Sequence, residues 1–535
     1  MKWNVGVTVA VVTAVLFAAP RGFAQAQHKM QLKVEPPKAV VMPTGAWQPK
    51  SVAYIKASNT SKEDQFGGAV ALSGDGNTLA VGAVNEDGAG KGANPVTKVG
   101  KGGKETVTNS GAVYIYTRTA AGWKQQAYLK ASNAGEGYQF GNALSLTSDG
   151  NLLAVGSIGE ASSAAGVNGN QDDSSMPGAG AVYVFARKGG VWSQQAYVKS
   201  SNTGGPVVGY QFGYSVSLSS DGSTLAVGET SDPSNATGIN GDEKNTSAPD
   251  SGAVFVFGRD GDTWTQQAYV KPWNTTQRGA LFGYSVGLGG DGSTLGVGAY
   301  DEDRGRGAVY VFTRKGRTWA QQMRLTASNA EGGDSLGCSL AISDDGNTIV
   351  SGAFDEDAIL PGIQPPNAGA NDVAEDTSSG AAYIFARKDG KWSQQAYVKA
   401  FNTRENDQFG WALAISRDGN TVAIGSHLED SGAKGINGDM KDTTAEDSGA
   451  VYVYTRSGDT WSPAAYVKPS NTKAAEEFGI SVALNGDGKI LAAGATKENS
   501  AARGVNGNQK DTTMVNAGAA YVYYDGAETT TSLRK

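Results

Sequence analysis

Cysteine is nearly absent from this chain. Cys338 is the only one in 535 residues, so no internal disulfide is possible and stability has to come from a large core. Cys338 falls just after Leu336-Gly337 on an expected inner strand, where a small buried apolar residue is the expected role. Histidine is almost as scarce. Only His28 and His427 occur, and neither stands beside a nucleophile elbow or a second metal-ligand residue. Charge of one sign is also lacking: a net charge of −7 over this length gives no footprint for nucleic acid or an anionic membrane. Beyond the N-terminal segment no apolar run is long enough to span a bilayer. No Gly-rich phosphate loop leads from a strand into a helix, because no helix is evident.

Glycine, by contrast, is abundant, with 75 residues at fixed places in a repeated unit. The unit is clearest from Phe409 to Lys468. Phe409 to Ser416 is β-type, Arg417-Asp418-Gly419-Asn420 turns, and Thr421 to Gly425 returns. An Asp-Gly pair between apolar runs is a strong hairpin signal. After a loop come Gly449 to Arg456, a short turn, and Trp461 to Lys468. Phe-Gly recurs at Phe66, Phe140, Phe212, Phe282 and Phe478, with Leu336-Gly337 as a variant, which makes seven units.

The fourth run has seven copies too, but the first, Trp47 to Lys56, precedes every Phe-Gly. The last unit ends at Tyr521-Val522-Tyr523-Tyr524 with no fourth run after it. A linear solenoid has no use for that displacement, whereas a ring does. Pairing Trp47 to Lys56 with Gly518 to Tyr524 completes the last sheet and leaves no unpaired edge. The expected fold is all-β: a seven-bladed β-propeller of four-stranded antiparallel blades, closed by the N-terminal strand. Runs such as Ala181 to Phe185, apolar on both faces, agree with blades stacked face to face. The glycines after each Phe suggest inner strands crowded at the axis.

Strand parity then sorts the connections. The tight 1–2 and 3–4 turns, such as Ser73 to Asn77 and Arg187 to Gly190, share one face. The 2–3 loops and 4–1 crossings share the other. Six 2–3 loops, among them Ile158 to Ala179 and His427 to Ser448, exceed the usual connection of about 2–6 residues, and only Tyr300 to Arg306 is short. Function is expected on the elaborated face.

Flanking segments complete the division. Residues 1–26 read as a secretory signal, with Lys2, an apolar core from Val5 to Ala19, and Ala24-Gln25-Ala26 as cleavage site. Residues 27–46 read as a linker, 47–525 as the propeller and 526–535 as a C-terminal tail. The mature protein is expected to be exported, periplasmic or extracellular, with no membrane span.

Phe-Gly, the Asp-Gly turn and Leu79 to Ala83 together resemble the FG-GAP repeat, which forms the propeller of integrin α subunits and of exported bacterial proteins. Gly-Ala-Val-Tyr-Val-Phe and Trp-x-Gln-Gln-Ala-Tyr resemble the bacterial branch most. The resemblance covers Trp47 to Tyr524 and implies a propeller that offers a binding face. Integrin repeats often carry an Asp-x-Asp-x-Asp-Gly calcium loop between strands 1 and 2. Here each turn has one useful carboxylate (Asp75, Asp149, Asp221, Asp291, Asp418 or Asp487), while calcium takes about six to eight oxygens. Neither the inserted ligand-binding domain nor the leg and membrane segments of an integrin are present, so animal-type adhesion does not transfer.

Several loop residues are candidates. The 2–3 loops share Gly166-Val167-Asn168-Gly169-Asn170, Gly238 to Asp242, Gly435 to Asp439 and Gly504 to Asn508, followed by Asp173, Asn245, Asp442 and Asp511. They read as Asn-Gly turns with solvated acids, and a calcium cage is the alternative. The same holds for Asp301-Glu302-Asp303 and Asp355-Glu356-Asp357. No cofactor or metal is expected, and no catalytic residue is assigned. Ligand binding points instead to aromatics: Trp273 and Phe401 in 4–1 crossings, and Tyr214, Tyr284 and Trp411 after Phe-Gly near the channel mouth. They suit stacking on a sugar or insertion into a partner, with packing between blades as the alternative. The repeated tryptophans, such as Trp264 and Trp461, read as core. The expectation is an exported, monomeric, non-enzymatic propeller that binds a protein or glycan. Alternatives are a carbohydrate-active hydrolase using loop carboxylates and a structural part of a surface assembly.

Overall fold

Each of the seven units folds into one antiparallel sheet, and in five of the seven sheets the strands follow one another in chain order. The computed structural model describes residues 47–95, 107–203, 209–274, 279–364 and 377–525. The expected signal segment, the linker, His28 and the C-terminal tail lie outside the described residues. Blade I is Phe66–Leu72, Thr78–Ala83, Ala112–Thr119 and Gly122–Leu129. First strands Phe140–Leu146, Phe212–Leu218, Ser285–Leu288, Leu340–Ile342 and Ala412–Ile415 open blades II to VI. Blade VII is Phe478–Leu484, Ile490–Ala495, Ala519–Asp525 and, from the other end of the propeller, Pro49–Ile55.

The closing strand pairs Val52 with Tyr523, Ala53 with Val522, Tyr54 with Tyr521 and Ile55 with Ala520. First strands touch their neighbours in an unbroken circle, which puts them innermost. The result is a seven-bladed propeller. Blade V departs from four strands, because Ile363–Gln364 adds a short fifth strand outside Lys391–Val398. Glu302–Gly305 forms one helical turn, but Asp303 and Arg304 have φ of 52° and 63°, so it cannot propagate.

The core is divided by blade interfaces. Seven buried apolar clusters occur among the described residues, each drawn from two neighbouring blades. The Phe of each Phe-Gly reaches under the third strand of its own blade; Phe140, for one, meets Tyr183 and Phe185 edge-on at 5.4 and 6.0 Å. The repeated tryptophans are buried as expected, and they also tie blades together: Trp192 Nε1 donates to Gln126 Oε1 at 2.9 Å and Trp461 Nε1 to Gln395 Oε1 at 2.8 Å.

The glycine after Phe is needed for a different reason from the one its spacing suggested. Gly67 has φ +98°, and a Cβ there would lie 2.4 Å from the Ala519 carbonyl oxygen of the preceding blade. The constraint is backbone contact between blades, not crowding at the axis.

Removing residues 47–56 uncovers the partners of Trp47, Tyr54 and Ile55, all buried, at about 1.5–3 kcal/mol for each side chain. Val52 contributes less, being 40% exposed. The expected outcome is a large fall in thermal midpoint by differential scanning calorimetry, against little change on deleting residues 27–45. Equal effects would count against ring closure.

Candidate functional site

The elaborated face is held in place by an ion pair repeated in every blade, buried in all but blade IV, where the cation is half-buried. Three residues after the second strand, each 2–3 loop carries an acid: Glu86, Glu160, Asp232, Glu302, Glu356, Glu429 or Glu498. Each meets a cation at the end of its blade's outer strand. Lys130–Glu86 is 2.6 Å, Lys199–Glu160 2.7 Å, Lys271–Asp232 3.1 Å, Lys468–Glu429 2.8 Å and Lys56–Glu498 2.8 Å. Lys399–Glu356 completes the lysine set, and Arg324–Glu302 at 2.9 Å serves blade IV.

Other donors satisfy the remaining lone pairs. Tyr466 Oη donates to Glu429 at 2.8 Å, and Asn402 Nδ2, from the 4–1 crossing entering that blade, donates at 2.9 Å. Asn402 Oδ1 in turn accepts from Tyr452 Oη at 2.5 Å. One carboxylate thus fastens a loop, an outer strand and a crossing to each other. The expectation that Asp301-Glu302-Asp303 and Asp355-Glu356-Asp357 are solvated therefore fails at Glu302 and Glu356, which are buried and paired. The recurring Lys-x-x-Asn (Lys130 to Asn133, Lys468 to Asn471) was a signal for this arrangement in the sequence.

The Gly-x-Asn motif proves to be a strand cap. Asn168 N–H donates to Tyr197 O at 2.7 Å, and Asn168 Oδ1 accepts from Tyr197 N–H at 3.0 Å. Asn240, Asn437 and Asn506 do the same on Tyr269, Tyr466 and Tyr54. Their side-chain oxygens are committed to backbone and do not converge on a cation. Asp173 is engaged by Ser163 and Ser175, and its carboxyl is held well below the usual range by those hydrogen bonds. Asp75 accepts Ser73 Oγ at 2.5 Å and Asn77 N–H at 2.9 Å within its own turn.

The central channel differs at its two ends. On the plain face the 1–2 turns join in a circle of backbone hydrogen bonds: Gly74 to Ser148, Ser148 to Ser220, Asp221 to Gly290, Gly290 to Asp344, Asp344 to Arg417, Arg417 to Gly486 and Gly486 to Gly74, at 2.8–3.3 Å. Arg417 reaches across this circle. Its Nη2 donates to Ser220 Oγ at 3.2 Å, its Nε is 3.6 Å from Asp344 Oδ2, and its guanidinium lies against Gly74. That end is closed by backbone and one arginine.

The loop-face end carries an arc of six rings across blades III to VI. Tyr214 and Tyr284 are 4.8 Å apart between centroids, Tyr284 and Tyr300 4.3 Å, and Tyr300 and Phe354 6.3 Å. Phe354 and Trp411 follow at 5.2 Å, and Trp411 and His427 at 4.5 Å. The rings come from two matched positions, the residue after Phe-Gly and the one after the second strand. In blades VII, I and II those positions hold Ile480 and Thr496, Gly68 and Val84, and Asn142 and Ile158. The mouth is therefore aromatic on one side only. Buried His427 is pushed down to about 3 by burial, then by Lys497, so it is neutral at physiological pH, and its Nδ1 has no hydrogen-bond partner. Cys338, buried beside the arc, is pushed up to about 12 by burial and is not a thiolate nucleophile.

Of the expected ligand-binding residues, Tyr214, Tyr284 and Trp411 are brought together in this arc, half-buried. Trp273 stands apart from it, 56% exposed, on the crossing into blade IV. Phe401 needs correction. It is buried and packs edge-on against Tyr452 and Tyr454 at 5.3 and 5.1 Å, so it is core between blades V and VI and presents no surface. Tyr300, Phe354 and His427 were missed; alignment of the units at the end of the second strand was the signal that marks them.

The FG-GAP repeat family model matches residues 50–95, 319–385 and 392–454, segments that lie in blade VII with blade I, blades IV and V, and blades V and VI. The chain is a seven-bladed β-propeller in which those three segments match the FG-GAP repeat. No curated protein matches it as a relative. Solved structures similar in fold include the Myceliophteria thermophila Cps50 (Swd1) beta-propeller domain, at 11% identity and TM-score 0.46, covering 89% of this chain and 99% of that one. Kuenenia stuttgartiensis hydrazine synthase is similar at 13% identity and TM-score 0.42, covering 82% and 94%. Likeness at this level carries nothing about activity.

Two predictions follow from the buried charges. Glu429→Gln leaves the Lys468 ammonium buried without its counter-ion and is expected to cost about 3–5 kcal/mol in urea unfolding. Adding Lys468→Met to Glu429→Gln removes the unpaired charge while the new amide keeps an acceptor for Tyr466 and Asn402, and is expected to recover part of that loss. A second set of buried acids lacks such partners. Both Glu476 oxygens and both Asp407 oxygens have no hydrogen-bond partner, and Lys473 Nζ stays 3.7 Å from Glu476. Burial, followed by the nearby Glu498, pushes Glu476 up to about 8; burial, followed by Glu429, holds Asp407 well above the usual range. These groups keep in the folded state protons that the unfolded chain releases above its ordinary carboxylate pKa. The contribution of these two groups is therefore full below the ordinary carboxylate pKa and falls as pH rises toward 8, by up to about 1.4 kcal/mol per pH unit for each group. Thermal midpoints should decline from pH 5 to 9, with a shallower decline in Glu476→Gln and Asp407→Asn. An unchanged slope in both variants would assign the decline elsewhere.

Proposed function

We propose that this protein is an exported, non-enzymatic binding propeller that engages a protein or a glycan through the face built from 2–3 loops and 4–1 crossings. The observation that carries the reading is the six-ring arc on the loop face, at the opposite end of the axis from the closed circle of 1–2 turns. Half-buried aromatic rings give large contact area at low conformational cost, and their faces suit sugar C–H groups or an inserted apolar side chain. The secretory character of residues 1–26 and the FG-GAP repeats support an exported binding role. The loop acids that a hydrolase would use are largely taken up in ion pairs and turns, which favours binding over hydrolysis.

Glycan and protein arrays probed with the purified chain test this reading. Trp411→Leu and Tyr284→Ala are each expected to weaken the ligand found at least tenfold, about 1.4 kcal/mol, without lowering the melting midpoint by more than a few degrees. Binding indifferent to both substitutions would move the site elsewhere. Polysaccharide hydrolysis abolished by a single Asp→Asn change would replace the binding reading with an enzymatic one.

A further inference from the structure

Six of the seven outer strands are capped by their own 2–3 loop. In blade II, Val167 bridges Val198, Asn168 exchanges hydrogen bonds with Tyr197, and Lys199 N–H donates to Gly166 O at 2.8 Å. Blades I, III, VI and VII repeat this with Ala93-Asn94, Ile239-Asn240, Ile436-Asn437 and Val505-Asn506, and blade V does so with the strand Ile363–Gln364. The aliphatic residue of each cap packs on the apolar cluster between its blade and the next.

Blade IV has no such cap, because its 2–3 loop is only Tyr300 to Arg306. Among the described residues no segment pairs with the outward edge of its outer strand, Thr318–Leu325, and the cluster between blades IV and V receives no cap residue. The register puts Arg324 opposite Tyr310 as Tyr197 stands opposite Tyr183, so the backbone groups that meet a cap in blade II correspond to those of Arg324 and Thr326. Side chains record the same difference. Met323 is 39% exposed where the matching alanines Ala127, Ala196, Ala268, Ala396 and Ala465 are at most 2% exposed. Trp273, whose backbone N–H donates to Gln321 Oε1 on this strand at 2.8 Å, is exposed as well.

An outer strand with free backbone groups and exposed apolar side chains is a template for strand addition. We propose that the outer edge of blade IV is a docking site for an extended segment of a partner protein, paired antiparallel, with a Gly-aliphatic-Asn core. The chain itself specifies that occupant, since the same edge is filled by this chemistry in five other blades and by Gly362-Ile363-Gln364 in blade V. The aliphatic side chain of the partner packs beside Met323 on the cluster between blades IV and V. Its Asn closes on the backbone of Arg324 with both amide N–H and side-chain oxygen. This surface is separate from the channel mouth and does not depend on the reading of that site.

The test uses a fluorescent synthetic peptide of residues 433–440, which carries Gly435-Ile436-Asn437, titrated into the full chain by fluorescence polarisation. Saturable binding is expected, weakened at least tenfold by Thr326→Pro, which removes the outward N–H, and by Met323→Glu. A peptide carrying Ile436→Asp and Asn437→Ala should bind no better than a scrambled one. Both protein variants change exposed positions, and unaltered melting midpoints confirm that they remain folded. Absence of binding, or equal binding to wild type and both variants, would overturn the proposal. A concentration-dependent dimer that Thr326→Pro dissolves would assign the edge to a second copy and overturn the assignment to a separate partner.

Discussion

The buried carboxylate at the root of each 2–3 loop is the contact on which the elaborated face depends. A long loop has too little apolar surface to hold a fixed position by burial alone. Here the acid three residues after the second strand is drawn beneath the face; at Glu429 the outer-strand lysine, a tyrosine hydroxyl and the crossing asparagine converge on it. Removing two charges from water is costly, and such a pair adds little net stability compared with an apolar substitute. Its value lies in direction. An uncompensated partner is so unfavourable that loop, strand and crossing have one arrangement in which all three are satisfied.

Ring closure then gives the molecule two unlike ends. Inner strands meet at the axis, and their 1–2 turns are short enough to bond around a closed circle, with Arg417 laid across the opening. The opposite end is set by the first residues after Phe-Gly and after the second strand, whose rings meet one another across neighbouring blades. Aromatic residues at those positions in blades III to VI build a one-sided mouth. A perfectly repeated sequence would give either an all-aromatic ring or none, so the lopsided mouth comes from divergence among the repeats at two positions.

Divergence also distinguishes blade IV. A loop reduced to Tyr300 to Arg306 still brings Glu302 to its cation, here Arg324, so the pairing survives without the cap. What is lost is the piece of chain that covers the outer strand. Elsewhere that piece protects an edge that would otherwise recruit another strand.

Repeat length, strand order, the displaced first strand and the division into plain and elaborated faces were all legible in the sequence, because each follows from local hairpin chemistry and from counting strands. Trp192, Trp264 and their counterparts could be placed in the core for the same reason. Tertiary structure alone decided which loop acids are buried, since Glu302 and Asp303 are neighbours in sequence and differ only in what lies beneath them. It also decided that Phe401 belongs to the core while Tyr284 lines the mouth. The physical reason is that burial and partnership are set by residues distant in the chain: Glu302 with Arg324 across one blade, Phe401 with Tyr452 and Tyr284 with Tyr214 between neighbouring blades, and those separations close only when the sheets and the ring form.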